Sequence, residues 1–244
     1  LDAEIAAIAG KSGGPSPDAA FWRQTIRSLK AEAEIDWAAA GDADRANRLR
    51  DLQMADNLLW LARVRYPGRK IVVWAATRHI LANPLRIAKP ASPAAPAYPG
   101  GAAMGDEVRK ALGREAVYAL GFTAAGGEWG KHWETPRRLH SPAPGSLEDL
   151  WSRAGAELSI VDFRKPAAGF GWLAAPLLAR PLGYAYLQAD WTAVLDGMMF
   201  IRTMTPATPA AVGGRALTPA ATPPTGPAGS PGAPGASWRP APRR

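Results

Sequence analysis

Apolar residues recur at helical spacing from Phe21 to Ala40, with Phe21, Trp22, Ile26, Leu29, Ala33 and Trp37 on one stripe, and this pattern predicts an amphipathic helix. Ser16-Pro17-Asp18 supplies its start, with Ser16 as N-cap and Pro17 in the first turn, and Gly41 ends it. Asp42 or Asp44 caps a second helix running to about Arg65, in which Met54, Leu58, Leu61 and Ala62 form the apolar stripe and Pro67-Gly68 is the stop. The two segments read as an antiparallel helical pair.

The period then changes. Ile71-Val72-Val73-Trp74-Ala75 is a short apolar run rich in β-branched residues, the pattern of a buried strand. A helix near Asp106–Leu112 ends at Gly113, and a strand follows at Ala116–Phe122. Ser146 caps a helix with Leu147, Leu150 and Trp151 on one face, and Glu148-Asp149 suit its positive end. Leu158–Phe163 and Met198–Met204 read as further strands, while Asp190 and Asp196, on either side of Trp191, read as turns or caps. Helices and strands alternating at this spacing predict an α/β fold: a largely parallel sheet flanked by helices, preceded by the antiparallel helical pair.

Two stretches fall outside this core. Asn83–Gly101 holds five prolines and reads as a long loop. Thr205–Arg244 has ten prolines, six glycines and hardly a large apolar residue, so it is expected to be a disordered basic tail beside a single domain at 1–204.

Charge changes this picture little. The chain carries a formal +8. Four of its arginines (Arg215, Arg239, Arg243 and Arg244) lie in the tail, which has no acid, so residues 1–204 carry 8 − 4 = +4. That excess is ordinary for such a domain, and no nucleic-acid partner is expected. No apolar run reaches the ~20 residues of a membrane span, so no membrane partner is expected either. The chain opens on Leu1 without the pattern of a signal peptide, which gives a cytoplasmic expectation and suggests that residues before Leu1 are missing. Cysteine is absent, which removes thiol nucleophiles and thiolate metal sites. No cofactor or metal is expected.

Among candidates for chemistry, His79 has the best address, four residues past the Ile71–Ala75 run, because open α/β sheets bind ligands outside the carboxyl ends of their strands. It is the candidate catalytic residue, orienting substrate or water, with Arg78 and Glu128 as candidate substrate-binding residues beside it. Neighbouring parallel strands would bring the loops after Ala75 and Phe122 together there. His132 and His140 lie in a polar stretch with Arg137 and Arg138 and read as surface residues; Glu128, four positions before His132, is too far along a glycine-containing loop to require a meeting. Asp51 and Asn57 read as helix-packing positions, and most of the ten tryptophans as core. No nucleophile elbow, phosphate-binding loop, HExxH or GxGxxG with a ribose-binding acid occurs.

Several strings, taken in order, resemble one family. Arg50-Asp51-Leu52-Gln53-Met54-Ala55-Asp56-Asn57 is similar to an RDxxMAxN helix, and Lys70 to His79 to a KxVVWAHNxH strand and loop. Met104-Gly105, Gly121-Phe122-Thr123 with Gly127-Glu128, and Asp190-Trp191 through Asp196-Gly197 and Phe200-Ile201 match its later segments. The pattern, over about residues 15 to 206, resembles the C-terminal half of the erythromycin esterases and related succinoglycan-biosynthesis-type proteins. The resemblance implies hydrolysis of a small-molecule ester or lactone by a histidine-activated water, without a covalent intermediate. It also implies a general base in an N-terminal GExxHG motif, which does not occur in these 244 residues. In the WAHNxH loop, Ala76 and Thr77 stand where the family has its first His and the Asn, so only His79 matches, which points to a divergent branch with another substrate. The expectation is a fragment of an erythromycin-esterase-like hydrolase, inactive alone. The alternative is a binding or polysaccharide-biosynthesis-associated protein that kept the fold.

Overall fold

The computed structural model describes residues 17–87, 102–131 and 133–208, with two short strand segments beyond them. Helices α1 (Pro17–Ala39) and α2 (Ala43–Trp60) form the expected pair, and α2 continues through one π-helical turn at Leu61–Arg65. Asp42 is the N-cap of α2, its carboxylate accepting from the Arg45 amide. The pair is joined by a polar seam: Asn57 Oδ1 accepts from Gln24 Nε2, Ser28 Oγ and Gln53 Nε2 at 2.7, 3.0 and 3.1 Å. The expected apolar stripe of α1 is not buried by that seam. Phe21, Trp22, Leu29 and Trp37 are all exposed. The proposed cap Ser16 lies outside the described residues.

After α2 the chain passes through Ile71–Ala75 without regular secondary structure into α3, a single turn at Thr77–Ile80. Then come α4 (Met104–Leu112), ended by Gly113 as expected, β1 (Leu120–Trp129), β2 (Arg137–Arg138), α5 (Leu147–Arg153) and β3 (Leu158–Asp162). Strands β4 (Leu177–Leu182) and β5 (Ala185–Ala189), helix α6 (Trp191–Val194) and β6 (Gly197–Met204) complete the folded region, followed by a small ladder of β7 (Ala211–Val212) and β8 (Arg215–Ala216). Ser146 caps α5 and Asp190 caps α6, each side chain accepting from a first-turn amide.

The α/β class holds, but the main sheet is mixed rather than largely parallel. Its order is β2-β1-β6-β3. Only β1 and β6 pair in parallel; β2 and β3 are antiparallel to their neighbours. An antiparallel strand is tolerated at a sheet edge, and β3 is such an edge, with Leu158 and Ile160 exposed. The expected strand at Ile71–Ala75 does not form and pairs with no described strand, and β1 begins later and runs on past Phe122 to Trp129. The β4–β5 hairpin was not foreseen. Its two turn residues, Gly183 and Tyr184, have φ of 67° and 64°, the geometry of a type I′ turn whose usual Asn-Gly signal is absent.

The main core gathers Leu81, Leu147, Phe163, Trp191, Val194, Leu195 and Met198 between the sheet, the hairpin and α5–α6. A smaller cluster of Ala55, Met104 and Val108, flanked by Met54, Leu58, Ala75 and Ile80, binds α2, α3 and α4 together. Tryptophan follows expectation only in part: Trp191 is fully buried, whereas Trp22, Trp37, Trp74, Trp133 and Trp172 are exposed.

Asp196 is not a turn or cap but a buried junction at the amino ends of β1 and β6. Its carboxylate accepts from Arg164 Nε at 2.8 Å, from the Ala119 amide at 2.8 Å and from Arg109 Nη2, with Arg114 Nε at 3.8 Å. Burial holds the Arg109 guanidinium below its usual value against the pull of Asp196, while the hydrogen bond to Asp196 raises that of Arg164.

Candidate functional site

His79 occupies the seam between α2 and α3. One face of α2 presents Asn47, Arg50 and Asp51, at positions i, i+3 and i+4, to the single turn that carries Arg78 and His79. Arg78 Nη2 donates to Asn47 Oδ1 at 3.3 Å. His79 Nδ1 lies 2.8 Å from Asp51 Oδ1, and Arg50 Nη2 lies 3.5 Å from His79 Nε2. An ionised carboxylate only accepts and a guanidinium only donates, so this arrangement selects the tautomer with hydrogen on Nδ1 and a lone pair on Nε2. The imidazole is largely covered, at 14% side-chain exposure, and its polar partner is a carboxylate rather than backbone.

The supports of this seam are local and specific. Asp51 is 3% exposed, and its Oδ1 also accepts from the Met104 amide at the start of α4, at 3.1 Å. Downstream, Leu81 is fully buried, the Ala82 amide bonds to Val194 O, and the Asn83 amide bonds to Asp106 Oδ1. The turn carrying His79 is therefore held by Asp51 within it and by the bonded, buried segment that follows it. Gly105 lets α4 approach it, since a Cβ at that position would lie 2.2 Å from the Ile80 carbonyl oxygen.

Two mutations test these supports. Gly105→Ala is expected to destabilise the chain by about 1–3 kcal/mol or more, because the clash is with backbone and no rotamer relieves it. The melting temperature checks this; an unchanged value would show that α4 does not need the close approach. Asp51→Ala removes the oxygen that accepts from both the Met104 amide and His79 Nδ1. The 15N shifts of His79 should then move away from a single Nδ1–H tautomer, while the other described histidine, His140, keeps its signals.

Of the residues expected at the site, Arg78 and His79 are adjacent, and Glu128 stands apart. Thr77 abuts β1 at Gly121. Glu128 is seven residues further along, roughly 23 Å at strand rise, exposed and opposite Arg138. The loops expected to converge do not, because β1 continues past Phe122. His140 is exposed, and its carbonyl accepts from Arg180 Nη1; His132 lies outside the described residues. Arg50 and Asp51 are the partners that the sequence reading did not place at the site.

Against known proteins, the sequence profile described as erythromycin esterase matches residues 2–204. The chain belongs to the erythromycin esterase family. YbfO of Bacillus subtilis (strain 168), provisionally named a hydrolase, is 29% identical over 163 residues, which are 65% of this chain and 35% of YbfO. A Bacillus cereus protein of known crystal structure superposes with a TM-score of 0.67 at 15% identity, over 84% of this chain and 50% of that one. A succinoglycan biosynthesis protein superposes with a TM-score of 0.53 at 17% identity, over 68% of this chain and 40% of that one. The chain thus spans half or less of the length of these relatives. Within the family segment, the physical meaning of two motifs is now visible. Asp51 of the RD pair holds the loop histidine, and Met104-Gly105 supplies one amide to Asp51 and one close approach to α3. Among the described residues, no helix is long and apolar enough to cross a membrane.

Proposed function

We propose that this chain carries the histidine-bearing half of a hydrolase acting on an ester or lactone, with His79 orienting the attacking water or the substrate carbonyl. The observation that carries this reading is the Asp51–His79 pair on the family's loop: the carboxylate holds Nδ1, so Nε2 keeps its lone pair, which Arg50 faces at 3.5 Å and which a water entering in place of that contact would use as acceptor. Arg50, beside Nε2, is the cation nearest to charge that would develop on a carbonyl oxygen there. Arg78 braces the turn against α2 through Asn47 and can contact substrate from the same seam. Glu128 has no place in this arrangement. Ala76 and Thr77 leave the loop with fewer polar groups than the family pattern, consistent with a substrate other than a macrolide.

The family's GExxHG base is not in these 244 residues. Loss of a general base typically costs about 10²–10⁴-fold in rate. The isolated chain is therefore expected to hydrolyse simple aryl esters no faster than buffer. Turnover clearly above buffer that disappears in His79→Ala would show that the chain is a complete catalyst.

A further inference from the structure

Helix α1 turns two different faces to its surroundings. Gln24 and Ser28 lie on the side against α2, where they bond to Asp56 and Asn57. The opposite side carries Trp22, Ile26, Leu29, Ala33 and Trp37, which recur three or four residues apart and so form one stripe. Ile26 is half-buried, but Trp22 is 60%, Leu29 66% and Trp37 86% exposed. The Phe21 ring, also exposed, meets that of Trp22 edge-on at 5.4 Å and widens the stripe. From Trp22 to Trp37 it runs roughly 22 Å at helical rise. A contiguous apolar surface of this kind marks a contact with another molecule.

The charges of α1 select that molecule. Arg23, Arg27 and Lys30 lie in its first half, after Asp18, and Glu32, Glu34 and Asp36 lie in its second. The helix dipole favours the reverse order, so the helix's own stability does not account for it. Within α1 only Lys30 and Glu34 pair, and among the described residues Arg23, Arg27, Glu32 and Asp36 have no ion-pair partner. An anionic lipid surface would be repelled by the acids around Trp37, and a convex helix face encloses no small ligand. A second copy laid antiparallel fits both patterns. It sets each basic half beside an acidic half, places Trp22 of one copy against Trp37 of the other, and leaves Leu29 near the two-fold axis. Arg23 and Glu34, three helical turns apart on one flank of the stripe, then meet across that axis. A parallel pair would set like charges side by side. We propose that α1 is the contact of a symmetric dimer of this chain, with two copies packed antiparallel along Trp22–Trp37. Nothing in this contact depends on hydrolysis.

The test follows the full 244-residue chain by analytical ultracentrifugation over a concentration series, without substrate. The expected result is a monomer–dimer equilibrium that Leu29→Lys weakens by about ten-fold or more. The melting temperature of the dilute variant should stay that of the dilute parent, because the Leu29 side chain is exposed in the single chain. Orientation is read by cross-linking, since the chain has no cysteine and an introduced thiol reports only its own neighbours. With an added disulfide oxidant, Leu29→Cys should cross-link to itself. Trp22→Cys should cross-link to Trp37→Cys when the two are mixed, and neither should cross-link to itself. A chain that stays monomeric, or a dimer indifferent to Leu29→Lys, overturns the proposal. Self-cross-linking of Trp22→Cys overturns it too, by making the pair parallel.

Discussion

Asp196→Ala is expected to lower the free energy of unfolding by about 3–5 kcal/mol, the cost of breaking a buried ion pair from one side. The carboxylate is fully buried and joins four parts of the fold: α4 through Arg109, the start of β1 through the Ala119 amide, the segment after β3 through Arg164, and β6, which it precedes. Its removal leaves two largely covered guanidiniums facing each other without an anion, together with an unpaired amide. Arginine cannot relieve this by losing its proton. By contrast, Glu34→Ala removes an exposed pair with Lys30 at 3.9 Å and should cost less than about 1 kcal/mol. Denaturant midpoints for the two variants check the contrast. Equal, small effects would show that the Asp196 junction does not hold the sheet to its flanking elements.

Asp196 also shows what the sequence hides. Its position beside a capped turn is local information, and that suggested a turn or cap. Its partners lie 87, 77 and 32 residues away, and only the fold brings them together. The elements themselves were largely readable because their signals are local: the Asp42 and Ser146 caps, the glycine stop of α4 and the strands at Leu158 and Gly197 all lie close to where periodicity and capping put them. Strand direction was not readable. Alternation of helix and strand suggested parallel pairing, but β3 takes the antiparallel edge and Ile71–Ala75 finds no described partner. The apolar stripe of α1 was real as a pattern, yet Asn57 and its polar partners occupy the helix contact and leave Phe21, Trp22 and Leu29 outside.

The site was legible in half. His79 stands out by its place after an apolar run. Asp51 reads as a helix-packing position, and it is buried; that its carboxylate holds His79 was not legible, because the two lie 28 residues apart in the chain. One signal was available: Asn47, Arg50 and Asp51 share a helix face and Met54 continues it, so an acid lies on the side that turns inward. The expected tail at Thr205–Arg244 and the loop after Ile87 fall almost entirely outside the described residues.

The second large effect concerns His79 and the account's central claim. A single polypeptide in which this chain replaces the segment of YbfO that it matches is expected to hydrolyse an aryl ester, the rest of YbfO being expected to supply the family's base while Asp51 holds His79. His79→Ala in that protein should lower kcat/KM on an aryl ester by about 10²–10⁴-fold, the usual range for a positioned proton-transfer or orienting group. The cause would be loss of the Nε2 acceptor at the reacting centre and not unfolding, so the melting temperature should change far less than it does for Asp196→Ala. The measurement is kcat/KM of the joined protein with and without His79. A fall of that size supports His79 as the orienting residue; no turnover in the joined protein, or turnover that survives His79→Ala, contradicts it.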